Sequence, residues 1–144
     1  MRGMRSFAAA GVALAAAAFI GCSESMGSGG NCGSGTAPSV AGTYKLARYT
    51  LGSNTVDTLQ GATGQLRFYA ANYAFNATIP VTGAIADSGS YTITGIRCMS
   101  EVSVLNPGTS TGEFTLSGTT PGSVFTFAGT NTIVGPVGFV AVKQ

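Results

Sequence analysis

The stretch NYAFNATI, from Asn72 to Ile79, alternates without a break: Tyr73, Phe75, Ala77 and Ile79 fall on one face, and Asn72, Ala74, Asn76 and Thr78 fall on the other. A period of two is the spacing of a half-buried β-strand, and no helix keeps those four apolar side chains together. The pattern recurs along the chain. GQLRFYA sets Leu66 and Phe68 against Arg67 and Tyr69, and AGTYKLARYTLG alternates about Tyr44, Leu46 and Arg48. GSYTITGI carries Tyr91 and Ile93, GEFTLSG carries Phe114 and Leu116, and SVFTFAG carries Phe125 and Phe127. Turn residues separate these runs at intervals of about eight to twelve residues, the rhythm of an all-β domain.

Composition agrees with that rhythm. Only 8% of the residues are charged and 22 are glycine, while Thr and Ser crowd the second half. Many short strands facing water with Thr and Ser, joined by Gly-rich turns, produce such numbers. Short connections favour antiparallel neighbours, because parallel crossovers need a dozen or more residues. The expected fold is therefore an all-β, antiparallel, up-and-down barrel of about seven to eight strands, with a β-sandwich as the alternative way to hide the sheet edges. Pro107-Gly108 and Pro121-Gly122 suit turns, and Pro136 between two glycines marks an edge, a bulge or a break in the last strand.

The first 21 residues do not belong to that domain. Arg2 and Arg5 precede an apolar run from Phe7 to Ile20, and small residues follow, the layout of a secretory signal. The run falls short of the ~20 residues that a spanning helix needs. Phe19-Ile20-Gly21-Cys22 resembles a bacterial lipobox. The resemblance implies cleavage after Gly21 and diacylation of Cys22, which would then anchor the chain to a membrane. Two acyl chains suffice for stable anchoring. Ser23 after the cysteine resembles outer-membrane sorting in a Gram-negative host, so the expected location is the bacterial cell envelope. The plainer reading is an ordinary secretory signal with Cys22 incidental.

Residues 22–39 are Ser, Gly, Asn and Thr with little else, and read as a flexible tether with a root-mean-square span of roughly 20–25 Å. The folded domain is then 40–144. Two of its segments, VAGTYKLARYTL and DSGSYTITG, resemble the opening strand and the mid-chain strand of lipocalin-like domains, a calycin-type barrel family. The resemblance covers Val40 to Lys143 and implies a barrel that binds a small apolar or amphiphilic molecule. Tyr44 stands where the family has Trp, and the chain has no Trp. Lys143 is the candidate for the basic residue that caps it.

Chemistry is sparse. The chain has no His, which removes His-based triads and the commonest transition-metal ligand. Asp87-Ser88-Gly89 resembles the nucleophile region of trypsin-like proteases, but without a His base it reads as a turn leading to Tyr91. Asp57, Asp87, Glu101 and Glu113 are scattered singly and read as solvated surface groups, offering neither a glycosidase pair nor a calcium cage. Past Cys22 five basic residues face five acidic ones, so no basic stripe is available for nucleic acid. No catalysis, cofactor or metal is expected.

The aromatic set is what points to a ligand. Tyr44, Leu46, Leu66, Phe68, Tyr73, Phe75, Tyr91, Ile93, Phe114, Leu116, Phe125 and Phe127 either line an apolar pocket or fill the core of the barrel. Cys32 and Cys98 remain after Cys22 is assigned. In an exported protein they either pair, stapling the tether to the domain, or leave Cys98 buried and free with Cys32 idle. Two functions stand ahead of a third. One is a lipid-anchored barrel with a small hydrophobic ligand; the other is a non-enzymatic envelope interaction or structural domain with a filled core. A third is an inhibitor-like barrel that uses its turns against an enzyme.

Overall fold

The computed structural model describes residues 31–80 and 82–144, so the signal segment and Cys22 lie outside the described residues. Nine strands follow in order: β1 (Gly42–Leu51), β2 (Asn54–Asp57), β3 (Thr63–Phe68), β4 (Asn72–Ile79), β5 (Gly83–Thr94), β6 (Cys98–Ser103), β7 (Thr109–Leu116), β8 (Val124–Asn131) and β9 (Gly135–Lys143). Every pairing is antiparallel, and β9 returns to β1 with Leu46 opposite Ala141 and Tyr49 opposite Phe139. That last pairing closes eight strands into an up-and-down barrel, with β2 as an extra strand hydrogen-bonded to the second half of β1. The barrel is compatible with a calycin-like fold. Closure leaves the wall without the open edges that a sandwich keeps.

The alternation read in the sequence faces as expected. Tyr73, Phe75, Ala77 and Ile79 point into the barrel and are buried, as are Leu66 and Phe68, Phe114, and Phe125 and Phe127. The outward positions of the same strands carry Thr, Asn, Gln, Arg and Glu, a wall suited to water. No helix among the described residues is long and apolar enough to cross a membrane.

Two local readings are corrected. In β1 the register shifts between Leu46 and Arg48, so Arg48 turns outward and Tyr49 takes the inward place beside Phe139. The extra residue of a bulge reverses the phase of everything after it. Asp87-Ser88-Gly89 is not a turn. It lies inside β5, where Phe75 pairs with Asp87 and Tyr73 with Gly89. A polar residue on the inward face interrupts the apolar alternation of this strand. Pro136 stands at the head of β9 and does not break it.

Because the strands run up and down in sequence, the turns sort into two ends. The lower end holds the start of β1, turns 69–71 and 95–97, loop 117–123 and the end of β9. The upper end holds β2 with the 3-10 turn Thr58–Gln60, the β4–β5 turn, loop 104–108 and turn 132–134. Asp57 accepts from the backbone N–H groups of Leu59 and Gln60, while the Gln60 side chain accepts from the Asp57 N–H, so the donors at the N-terminal end of that short turn are satisfied.

Candidate functional site

Rings from facing walls meet inside the barrel. Phe68 of β3 and Phe125 of β8 stand 5.0 Å apart between centroids, with two strands of the wall between them. Phe75 of β4 reaches Phe139 of β9 at 5.3 Å, also edge to face, and Tyr49 stacks on Phe75 at 5.3 Å. Tyr44, Phe114 and Tyr91 extend the lower cluster through Phe125 and Phe68. Edge-to-face pairs of this kind add about 0.5–1.5 kcal/mol each beyond the area they bury. The residues expected to line a pocket or fill the core are therefore brought together and packed on one another. Ile93 and Leu116 are partly buried against the same cluster.

The lower end is closed over this packing. Val40, just ahead of β1, is buried, and the Tyr44 hydroxyl donates to its carbonyl at 2.8 Å. The Tyr91 hydroxyl donates to the carbonyl of Tyr69 in the adjacent turn. Burial pushes the Tyr44 and Tyr91 hydroxyls above their ordinary pKa, so both remain donors. Lys143 lies with Nζ 5.7 Å from the Tyr44 ring centre and donates to the Ala41 carbonyl.

Cys32 and Cys98 sit at this end with sulfurs 2.11 Å apart and Cα atoms 5.0 Å apart, a disulfide. The segment before β1 is fastened beside it. Ile96 N–H donates to the Cys32 carbonyl, and Arg97 donates twice to the Asn31 carbonyl. Gly95 has φ +61°, and a Cβ there would collide with the carbonyls of Cys32 and Gly33. Only glycine fits both the turn and the close approach of that segment.

The upper end is built differently. A recess of about 10 Å³ opens there, with Tyr49, Phe75 and Phe139 beneath it and Asp87, Glu101, Ser110 and Asn131 around it. That is room for about one water molecule. Asp87 is committed to structure: it accepts from Ser103 Oγ through both oxygens, from the Tyr73 hydroxyl, and from the N–H groups of Ser88 and Leu105. Those bonds fold loop 104–108 over the rim. Asn131 donates to Ser110 and accepts from the N–H groups of Ile133 and Val134, which shapes the neighbouring turn.

Glu101 is the carboxylate that the recess leaves available. Burial holds its carboxyl above the ordinary carboxylate range, and the charge of Asp87 adds to the effect while Ser110 opposes it. Burial pushes the Tyr49 hydroxyl up to about 12, helped by Asp87 and Glu101, and raises Tyr73 for the same reasons. The expectation of four solvated surface acids thus fails for Asp87 and Glu101, which face inward. Phase was the available signal: Asp87 shares the face of Tyr91 and Ile93, and Glu101 that of Met99. Among the described residues no three His, Cys, Asp or Glu side chains come together as a metal site.

Outside the upper rim, large apolar side chains stand in solvent. Leu59 is 94% exposed, Val104 80%, Ile133 64% and Leu105 53%. Val104 and Leu105 overhang a shallow groove of about 410 Å³ floored by Ala74, Asn76, Ala86 and Ser88. Its openness to solvent makes it a surface for contact rather than a container. Compared with known proteins, the chain matches no family model, no curated protein and no solved structure.

Proposed function

We propose that the chain is a lipid-anchored envelope protein whose barrel acts without catalysis, engaging a protein partner through its upper end. The observation that carries this reading is the filled lumen: Phe68 meets Phe125 and Phe75 meets Phe139 across it. Small-molecule sites in general occupy a few hundred Å³ and bury most of their ligand. A small apolar ligand in this lumen would require Phe75 and Phe139 to part. The uncovered side chains of Leu59, Val104, Leu105 and Ile133 supply the apolar anchors that a protein interface uses.

The lipobox at Phe19-Ile20-Gly21-Cys22 supports the anchor, and the Cys32–Cys98 disulfide supports an oxidising compartment such as the envelope. Native mass spectrometry of the full chain, purified from its host, tests the reading. The expected mass is that of the chain from Cys22 onward plus its diacylglyceryl group. A stoichiometric co-purifying apolar molecule, or uptake of a fluorescent fatty acid, would overturn it in favour of the small-ligand barrel.

A further inference from the structure

The described charges are not spread evenly along the barrel. Lys45 pairs in register with Gln65 and Val142, Arg67 with Thr43, and Lys143 with Tyr44, all toward the lower end. Arg97 occupies the lower turn between β5 and β6 and holds the Asn31 carbonyl where the chain comes in. Glu113, 3.8 Å from Arg97, is the acidic side chain set against these four cations among the described residues. The upper half reverses the sign, with Asp57, Asp87 and Glu101 against Arg48. Two amphipathic or apolar side chains also stand out at the lower turns: Tyr69, 46% exposed beneath the Arg67 guanidinium, and Ile96, 44% exposed.

We infer that the lower end of the barrel seats on an anionic lipid surface, with the upper end turned away from it. Basic side chains interleaved with Tyr and Ile match the headgroup region in charge and in polarity. The point where the chain leaves the domain selects lipid over other anionic partners. Cys32 is fastened to Cys98 at this same end, and nine residues separate it from Cys22. Ten Cα steps span at most about 36 Å, against about 65 Å for the eighteen steps from Cys22 to Val40. The disulfide thus shortens the leash and gathers it at the basic end. The inference rests on the lipid-anchor reading for delivery to the membrane, and its test separates the two.

The lipidated full chain is incorporated in vesicles of phosphatidylcholine alone or with phosphatidylglycerol. Flotation reports the anchor, and amide hydrogen exchange reports which end is covered. The expected result is flotation on both vesicles, with turns 69–71 and 95–97 protected on the anionic vesicles only, and the protection lost in high salt. Lys45→Gln with Arg67→Gln, two exposed positions, is expected to leave flotation intact and remove the protection. Equal protection on neutral vesicles, or protection that grows with protein concentration and marks self-contact, overturns the inference while the anchor stands. If the chain floats on neither vesicle the anchor reading fails, and co-sedimentation of the soluble chain with anionic vesicles decides. There the double variant should bind about 25-fold more weakly, at about fivefold per cation removed; equal binding overturns the inference.

Discussion

Val40, Tyr44 and Phe125 cap the lumen at the lower end, each at most 1% exposed, whereas Glu101, Ser110 and Asn131 surround it at the upper end. The two ends of one barrel therefore solve different problems. Below, rings and a carbonyl-bound tyrosine exclude water, and a disulfide fastens the incoming chain. Above, side-chain hydrogen bonds shape loops that leave apolar residues uncovered. The same eight-stranded wall supports both, because alternate positions on each strand are free to differ along its length. Apolar packing closes the lower end, and polar side chains ring the upper.

The comparison breaks most readily at the lower cluster. Phe125→Ala removes a ring that touches Tyr44, Phe68 and Phe114, and should cost about 3–5 kcal/mol in urea unfolding of the oxidised chain. A loss below about 1 kcal/mol would mean that the cluster does not hold the barrel. Replacing Cys32 and Cys98 with Ser comes next, at about 2–4 kcal/mol, since the bridge links residues 66 apart. Unchanged stability after reduction would show that the staple fixes only the incoming segment.

Smaller effects belong to the upper end. The Glu101 carboxyl is held above its ordinary value of 4.5, so the folded chain keeps a proton that the unfolded chain releases. That contribution is full below the unfolded value and is lost as pH rises through the raised one. Thermal melts should therefore show Glu101→Gln flattening the decline in stability above pH about 4.5, the wild-type minus variant difference isolating this group from the other carboxylates. Parallel curves for the two proteins would place Glu101 in a solvated setting. Leu59→Ser should change unfolding by no more than about 0.5 kcal/mol, because that side chain is 94% exposed. A larger loss would mean that the upper loops take part in holding the fold.

Most of the wall was legible in the sequence, wherever the inward residues were apolar. Tyr73 to Ile79, Leu66 with Phe68, and Phe125 with Phe127 alternate without interruption and face inward as read. The upper site was not legible, for three local reasons. The bulge after Leu46 moved Tyr49 into the lumen, and a one-residue insertion leaves no mark in composition. Asp87 and Glu101 take inward places on β5 and β6, so those strands lose their apolar rhythm where the site lies. β2 and the 3-10 turn after it are short and polar, and depend on pairing with β1 and on the Asp57 cap.

By itself the sequence determined the all-β class and the antiparallel order, because period-two alternation and short turns favour both, and it left barrel and sandwich open. It also supplied the two cysteines, Cys32 and Cys98, that the barrel brings together. Whether those cysteines pair, and whether the inward aromatic side chains enclose a space or fill it, depended on distances between residues far apart in the chain. Tertiary structure decided both. It closed β9 on β1, brought Cys98 to within 5.0 Å of Cys32 between Cα atoms, and set rings from facing strands edge to face. The physical reason is that alternation fixes which way a side chain points, while the closure and register of the barrel fix what it meets there.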